Sequence, residues 1–218
     1  MYDAINRGFA LATGDVYAWI NADDVYLPGA FGAVAETFRR YPHIRWLKGI
    51  TSYIDESSAI REWGKCNLYD RGWIRDGIYG REAYFIQQDS VFWNADLWRE
   101  AGGIDARLKM AGDYFLWIAF SRYAPLYSLN YRVSCFRTRE GQMSREFGCY
   151  RRECDLVKPR EDSLARRRIA YYFRHEERVP PRMRPFLYRV FFHRQDLNFV
   201  DWQEGGTPAL RKAAYCRV

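Results

Sequence analysis

The apolar residues at the start of the chain are spaced as in a helix followed by a strand. Ile5 and Phe9 recur at helical spacing, and Gly14 is typical of a helix stop. Asp3 stands where an N-terminal cap is expected. Residues 16–20 form a short run of β-branched and aromatic residues, which is typical of a strand. The opening segment therefore predicts a helix that Asp3 caps and a strand directly after it.

A second helix and a second strand follow in the same order. Pro28 suits the first turn of the helix, and Tyr41 stands at its end, before a proline. Residues 46–54 are rich in aliphatic and aromatic residues and are the next predicted strand. This alternation indicates an α/β layered sheet with crossover helices. The predicted apolar face of the helix consists of Phe31, Val34, Ala35 and Phe38.

The pattern loses its regularity over residues 55–81, which are rich in glycine, charge and aromatics and indicate loops over a binding face. We predict an α/β domain at 1–145 and a basic, aromatic extension at 146–218. The extension is predicted to be mostly helical, with breaks at Pro159 and Pro180–Pro181. Between the loops and the extension we predict a strand at 90–93, a helix ending at Gly102–Gly103, a helix at 112–123 and a strand at 126–136.

Length and composition are those of a globular protein with one sizeable core. The chain has 218 residues, of which 48% are hydrophobic and 18% aromatic. Its formal net charge of +7 favours anionic partners such as nucleotides, phospholipid head groups or nucleic acid. Much of this charge is arginine in the C-terminal extension, interleaved with tyrosine and phenylalanine. Such an arm is either a surface for peripheral membrane contact or a solvated basic helical face.

The cysteines and the apolar runs argue against several classes of protein. Five cysteines are present without a C-x-x-C pair, so neither a disulfide framework nor a zinc ribbon is indicated, and we expect reduced thiols in a cytoplasmic chain. No run approaches the roughly 20 apolar residues that span a bilayer. The sequence contains no P-loop, no G-x-G-x-x-G fingerprint and no G-x-S-x-G nucleophile elbow.

Two adjacent carboxylates, Asp23 and Asp24, stand at the end of the first predicted strand, after Asn21. Mg²⁺ and Mn²⁺ prefer oxygen ligands, usually one or two carboxylates together with phosphate oxygens and water. The pair therefore suits a cation that clamps a diphosphate. The dipeptide alone, however, favours an acidic turn that caps the following helix.

A third carboxylate, Asp113, begins the predicted helix at 112–123. The bulky aromatic residues that follow it keep bulk water away, and a carboxylate in such surroundings can take a proton from a sugar hydroxyl. The spacing alone also fits a helix cap.

A polar cluster at residues 85–90 leads into the predicted strand and offers amide and hydroxyl groups that can recognise sugar hydroxyls. Gln87, Gln88 and Asp89 are among its members. Three tryptophans nearby either stack on a sugar or lie in the core: Trp93, Trp98 and Trp117.

Taken in order, these motifs resemble family 2 glycosyltransferases. The resemblance covers residues 2–145, and the two halves follow each other as they do in the family. The matching runs are residues 2–9, 12–15, 19–24 and 27–30 in the first half, and residues 86–93, 102–105 and 112–117 in the second.

The resemblance implies a GT-A-like, Rossmann-like mixed sheet with flanking helices and an inverting transfer of a hexosyl-type sugar. The donor is then a nucleotide sugar (a UDP-, dTDP- or GDP-sugar), and the acceptor is a glycan or a lipid-linked glycan. A place in cell-surface polysaccharide synthesis follows, at the inner face of the membrane. Nucleic acid is not among the partners that the family implies.

The resemblance also assigns roles to individual residues. Asp113 matches the catalytic base, and Asn21 stands in the first acidic place of the family's D-x-D-type motif, so that Asp23 or Asp24 binds Mg²⁺ or Mn²⁺. The implied donor-binding residues are Asp3, Asn6, Asn21 and Asp23, and the implied acceptor-binding residues are Gln87, Gln88, Asp89 and Trp117.

The sequence departs from the family at its start. Members begin with a strand, a helix and a strand that hold the nucleoside, whereas only Met1 precedes the matching run here. We therefore expect an N-terminally truncated domain. Two other functions stay open at this point: an inactive fragment that retains a carbohydrate-binding platform, and a nucleic-acid-binding protein, which the net charge of +7 suggests.

Overall fold

A computed structural model gives the fold and describes residues 1–139, 147–158, 163–192, 197–202, 207–213 and 215–216. In these ranges the chain forms one mixed sheet of eight strands with helices around it. The helices are α1 (Tyr2–Leu11), α2 (Ala30–Arg40), α3 (Arg71–Arg75), α4 (Ala95–Ala101), α5 (Gly112–Tyr123), α6 (Phe147–Val157), α7 (Leu164–His175) and α8 (Arg184–Phe192). The strands are β1 (Val16–Tyr17), β2 (Val25–Tyr26), β3 (Trp46–Ile54), β4 (Ile60–Glu62), β5 (Val91–Asn94), β6 (Tyr127–Arg137), β7 (Leu197–Asp201) and β8 (Ala209–Ala213).

The sheet has the order β1-β5-β3-β6-β7-β8, with β2 paired to β6 and β4 paired to β3. The β3–β6 and β6–β7 pairs are parallel, and the others are antiparallel. Strand β3 lies between β5 and β6, and every residue in it except Tyr53 is buried. A strand covered on both faces is expected to carry few exposed polar side chains, and this explains its aliphatic and aromatic sequence.

Alternation along β3 divides the core into two layers. Trp46 faces a large aromatic cluster that includes Trp93, Trp117 and Phe120. Leu47, the next residue, faces the opposite layer, because successive side chains of a strand point to opposite faces. That second layer is closed by α2 through Ala30, Ala33 and Val34. The α/β class with a mixed sheet and flanking helices is thus confirmed.

Several predicted elements have the predicted bounds. Strand β3 covers residues 46–54 and helix α5 covers residues 112–123, as predicted. Helix α4 ends at Gly102, whose φ of 79° is a left-handed conformation that glycine adopts without strain. The strand predicted at 16–20 is shorter, since only Val16–Tyr17 pair with β5.

Two details of the helix predictions are wrong. Met1, not Asp3, occupies the cap position of α1, and Asp3 lies in the first turn, where it pairs with Arg7 at 2.9 Å. The apolar face of α2 is also displaced, since Phe31 is 62% exposed and Ala35 is exposed. The helix packs on the sheet through smaller residues, which allow a closer approach: Ala30, Ala33, Val34 and Thr37.

In its described residues, the C-terminal extension forms three α-helices and two strands. Helices α6, α7 and α8 agree with the prediction, and the predicted break at Pro180–Pro181 lies between α7 and α8. Strands β7 and β8 were not predicted, and β7 pairs with β6 of the main sheet. The break predicted at Pro159 lies outside the described residues, and the division at residue 145 stays a prediction. Within the described ranges, none of the helices is long and apolar enough to cross a bilayer.

Candidate active site

Asp113 lies in the first turn of α5, at the edge of an open cleft. The cap position of α5 is taken by Ala111, so the interpretation of Asp113 as a cap is wrong. One carboxylate oxygen, Oδ1, accepts the backbone N–H of Tyr114 at 2.7 Å. The cleft is lined mostly by apolar and aromatic side chains. Besides Asp113, its lining includes Tyr79, Phe85, Ile86, Trp117, Ile118 and Tyr150.

The surroundings of Asp113 favour a basic carboxylate. Burial raises its pKa from 3.8 to about 6, although the backbone N–H groups of Tyr114 and of Asp113 itself oppose the shift. Such a group is largely ionised at neutral pH and binds a proton more readily than an ordinary aspartate does. A pKa close to the working pH is the property that general-base catalysis requires.

Asp24 is buried and connects the loop after β1 to the end of β6. Its side chain accepts the N–H of Arg137 at 2.8 Å and the amide of Asn21 at 3.1 Å, and the residue is 7% exposed. Burial raises its pKa to about 6, and the charges of Asp89 and Asp23 act in the same direction. Both carboxylate oxygens of Asp24 are therefore engaged in hydrogen bonds within the protein.

Asp23 lies beside Asp24 and reaches the surface. Its side chain is 21% exposed and pairs with Arg139 at 2.8 Å, and its carbonyl accepts the Nε–H of Arg137 at 2.7 Å. Within the described ranges, no three His, Cys, Asp or Glu residues are grouped as a metal site. One or two carboxylates still fit Mg²⁺ or Mn²⁺, because such cations take their remaining ligands from phosphate and water. Asp23, the more exposed of the two, thus suits a cation that a diphosphate helps to hold, whereas both oxygens of Asp24 are already engaged.

The two residues of α1 that were assigned to donor binding, Asp3 and Asn6, differ in the contacts of their side chains. Asp3 is exposed and pairs with Arg7. The Asn6 amide contacts the backbone of Ile104 twice: its Nδ2 donates to the Ile104 carbonyl at 2.7 Å, and its Oδ1 accepts the Ile104 N–H at 3.0 Å. Asn6 therefore holds the turn after α4.

The residues assigned to the acceptor are spread between the cleft and the interior. Gln87 follows the cleft residue Ile86, and its amide donates to the Tyr53 hydroxyl at 3.2 Å. The amide atoms of Gln88 are buried and make no hydrogen bond within the described ranges. Asp89 is completely buried, where it accepts a hydrogen bond from Ser134. Direct contact of Asp89 with an acceptor is therefore incompatible with this structure.

The tryptophans belong to the core. Trp117 is 3% exposed, and its ring stacks on Trp19 and Trp46 with centroid distances of 6.0 and 5.9 Å. Trp93 and Trp98 are 0% and 8% exposed. Of the three, Trp117 also lines the cleft through part of its surface.

Sequence reasoning missed the contribution of α6 to the cleft. Tyr150 lies in the wall near Asp113 and packs against Phe85 with ring centroids 5.6 Å apart. The helical pattern of the extension predicts α6 but does not reveal which element it packs against. An aromatic residue on a predicted helix was the only signal.

Comparisons with known proteins agree with the sequence pattern in the first part of the chain. The sequence model of the family described as Glycosyl transferase family 2 matches residues 1–78. No curated protein matches the chain.

Among solved structures, the chain is similar to the crystal structure of S. aureus TarS 1-349, with 11% identity and a TM-score of 0.48 over 87% of this chain and 58% of that one. It is also similar to the crystal structure of S. aureus TarS, with 11% identity and a TM-score of 0.48 over 86% of this chain and 35% of that one. The chain thus spans less than two thirds of the length of either structure. The family model thus agrees with the resemblance over residues 1–78, which are similar to family 2 glycosyltransferases.

Proposed function

We propose that this chain carries the reaction site of an inverting glycosyltransferase, which moves a hexosyl-type sugar from a UDP-, dTDP- or GDP-sugar to a glycan or lipid-linked acceptor. The observation that carries the proposal is the position of Asp113 in an aromatic cleft, with its pKa raised to about 6 by burial. Aromatic walls suit the apolar faces of sugar rings, and a basic carboxylate between them suits an acceptor hydroxyl.

The reaction is a single displacement. Asp113 accepts the proton of an acceptor hydroxyl while the oxygen of that hydroxyl attacks the anomeric carbon of the donor. The bond from the anomeric carbon to the diphosphate breaks on the opposite face, and the nucleoside diphosphate leaves with the bonding electron pair. Because attack and departure occur on opposite faces, the configuration inverts.

We expect Asp23 to bind Mg²⁺ or Mn²⁺. Asp24 is adjacent to it in the chain and more deeply buried. Asp23 is the more exposed of the two, and both oxygens of Asp24 already accept hydrogen bonds. A bound divalent cation offsets the negative charge that grows on a departing diphosphate. Asn21 contributes by orienting Asp24. The remaining donor contacts are assigned to Asp3, and Asn6 supports the site through the turn at Ile104.

The acceptor and the cellular setting belong to the same proposal. Gln87, which follows the cleft residue Ile86, is the polar residue best placed to meet an acceptor, and Gln88 brings a buried amide that can still form hydrogen bonds. We assign the reaction to cell-surface polysaccharide synthesis in the cytoplasm, at the inner face of the membrane. The basic extension is the part of the chain that suits contact with anionic lipid.

The test is a calorimetric titration of the folded chain with UDP, dTDP and GDP, with and without Mn²⁺. We expect one of the nucleotides to bind in a metal-dependent manner, and we expect Asp23→Ala to abolish that dependence. The matched control is Asp96→Ala, which removes an exposed carboxylate of α4 whose partner is Arg99. Failure of all three nucleotides to bind a folded chain overturns the proposal and leaves a carbohydrate-binding fragment as the alternative.

A further inference from the structure

The turn that leads into Asp113 is held by a glutamate of the C-terminal extension. We call residues 109–112 the base turn. Glu153 of α6 accepts the backbone N–H groups of three successive residues in it. The distances are 2.9 and 3.1 Å from Lys109 to the two oxygens, 2.7 Å from Met110 and 2.9 Å from Ala111.

The charge of Glu153 strengthens this contact. Burial acts to raise its pKa, but the N–H groups of Met110, Ala111 and Lys109 outweigh it and hold the pKa below its usual value. The carboxylate is therefore ionised at neutral pH, and its hydrogen bonds are charge-assisted, which makes them shorter and stronger than neutral ones. The same negative charge lies near the N-terminus of α5, where the helix dipole favours an anion.

The base turn is also held on a second side, by α1. The Tyr2 hydroxyl donates to the carbonyl of Met110 at 2.8 Å. The Tyr2 ring lies against Gly112, where an added Cβ would come within 2.5 Å of it. Tyr2 near the start of the chain and Glu153 in the C-terminal extension thus both fix the backbone immediately before Asp113.

Helix α6 adds a wall to the same site. Tyr150 lies three residues before Glu153 on α6 and lines the cleft together with Asp113. Helix α6 thus contacts the base turn through Glu153 and lines the cleft beside Asp113 through Tyr150. Both contacts can help to keep Asp113 buried, and burial is the cause of its raised pKa.

We propose that Glu153 is a positioning residue for Asp113, so that the C-terminal extension contributes to the reaction site. The proposal rests on the proposed role of Asp113 as the base. Glu153 acts on the reaction through the backbone of the base turn, and it touches neither sugar nor diphosphate.

The experiment compares Glu153→Ala and Glu153→Gln with the wild-type chain. Nucleoside diphosphate release gives kcat and the donor KM, and ¹³C-carboxyl NMR of labelled aspartates gives the pKa of Asp113, assigned with Asp113→Asn. Glu153→Ala is expected to lower kcat by roughly 10- to 100-fold at an unchanged KM, because misplacement of a reacting group by about 1 Å has effects of this size. The pKa of Asp113 should fall from about 6 towards 3.8 as water enters. Glu153→Gln keeps one oxygen for Met110 and Ala111 but loses the charge and the contact with Lys109, so its effects on kcat and on the Asp113 pKa should be clearly smaller than those of alanine.

Cys154→Ala is the matched control. Cys154 is fully buried on the same helix among Ala111, Tyr114 and Ile118, so its removal weakens the packing of α6 but leaves Glu153 in place. We expect a lower melting temperature with an unchanged Asp113 pKa. Should Glu153→Ala not fold, Glu153→Asp, whose shorter side chain reaches fewer N–H groups, takes its place with the same expected direction.

The outcomes separate this proposal from the proposed function. An Asp113 pKa that stays near 6 in the alanine or aspartate variant overturns the positioning role, as does an equal effect of alanine and glutamine. A wild-type chain without turnover removes the proposed function alone, since the NMR titration still reports whether Glu153 fixes the surroundings of Asp113.

Discussion

Asp24 and Asp113 both have pKa values raised to about 6, because each carboxylate is enclosed by protein. Their hydrogen bonds separate their roles. Asp24 accepts N–H groups from Arg137 and Asn21, which belong to two different parts of the chain. The described hydrogen bonds of Asp113 come from the backbone of its own turn. At the scale of single residues, Asp24 is thus a structural link, and Asp113 is a group that the fold keeps at the cleft.

Replacing Asp113 by asparagine should stabilise the folded chain while removing the base. The pKa of Asp113 is higher in the folded chain than its ordinary 3.8, so ionisation opposes folding once the pH rises. Well below pH 3.8 the carboxyl is neutral in both states, and the variant gains nothing; near pH 4 the gain is still small. Above about pH 6 the gain reaches at most about 3 kcal/mol, which corresponds to a shift of about two pKa units. Urea unfolding at pH 4 and pH 8 measures this difference, and equal gains at the two pH values would contradict the burial of a charged Asp113.

Gly112→Ala should destabilise the chain, because the new Cβ would lie within 2.5 Å of the Tyr2 ring. Overpacking of this kind costs about 1–3 kcal/mol. Gly8→Ala in α1 is the control, since a Cβ there meets no atom within 4 Å, and alanine in a helix is favoured over glycine by about 0.5–1 kcal/mol. Thermal unfolding of the two variants should therefore shift in opposite directions. A shift in the same direction would mean that Tyr2 does not pack on the base turn.

At the scale of elements, the apolar pattern predicted the bounds of buried strands and helices but not those of partly exposed strands. The bounds of β3 and α5 were predictable because both elements are buried along most of their length. The sequences of β7 and β8 are partly polar, and β8 has exposed residues at three of its five positions, so no strong pattern marks them. They form strands because the edge of β6 is available for pairing, a circumstance that only the folded sheet creates.

Strand β7 should be as important for stability as the central strands. Val200 is completely buried in the layer that contains Leu47 and Val133, whereas Leu210 in β8 is 41% exposed. Val200→Asp places an unpaired carboxylate in this layer and should prevent folding or cost several kcal/mol. Leu210→Asp should change stability by less than about 0.5 kcal/mol. Circular dichroism during urea unfolding compares the two, and a well-folded Val200→Asp chain would show that β7 does not complete the core.

At the scale of the whole molecule, the C-terminal extension contacts two segments that border the cleft. Glu153 grips the base turn, and Arg166 of α7 reaches the loop that carries Tyr79. The Arg166 guanidinium donates to the carbonyl of Asp76 at 2.7 Å and pairs with Glu82 at 3.1 Å, with side chains only 8% and 2% exposed. The sequence motifs predicted Asp113, but neither contact was predictable, because each joins residues more than 40 positions apart.

Breaking the pair between Arg166 and Glu82 should cost about 3–5 kcal/mol, since the remaining charge stays buried. Arg166→Met leaves Glu82 without its partner arginine, and the double variant with Glu82→Gln should recover part of the loss. A double-mutant cycle by chemical denaturation measures the coupling. Additive effects of the two substitutions would contradict a coupled buried pair.

The measurement that tests the central claim most directly is the pH dependence of nucleoside diphosphate release, with the wild-type chain and Asp113→Asn compared between pH 4.5 and pH 8.5 at a saturating nucleotide sugar. We expect the wild-type rate to rise with pH through an apparent pKa of about 6, as Asp113 loses its proton. The asparagine variant should lack this rise and be slower by about 10²–10⁴-fold at neutral pH. Release by Asp113→Asn at the wild-type rate, with the same pH profile, would show that Asp113 is not the base.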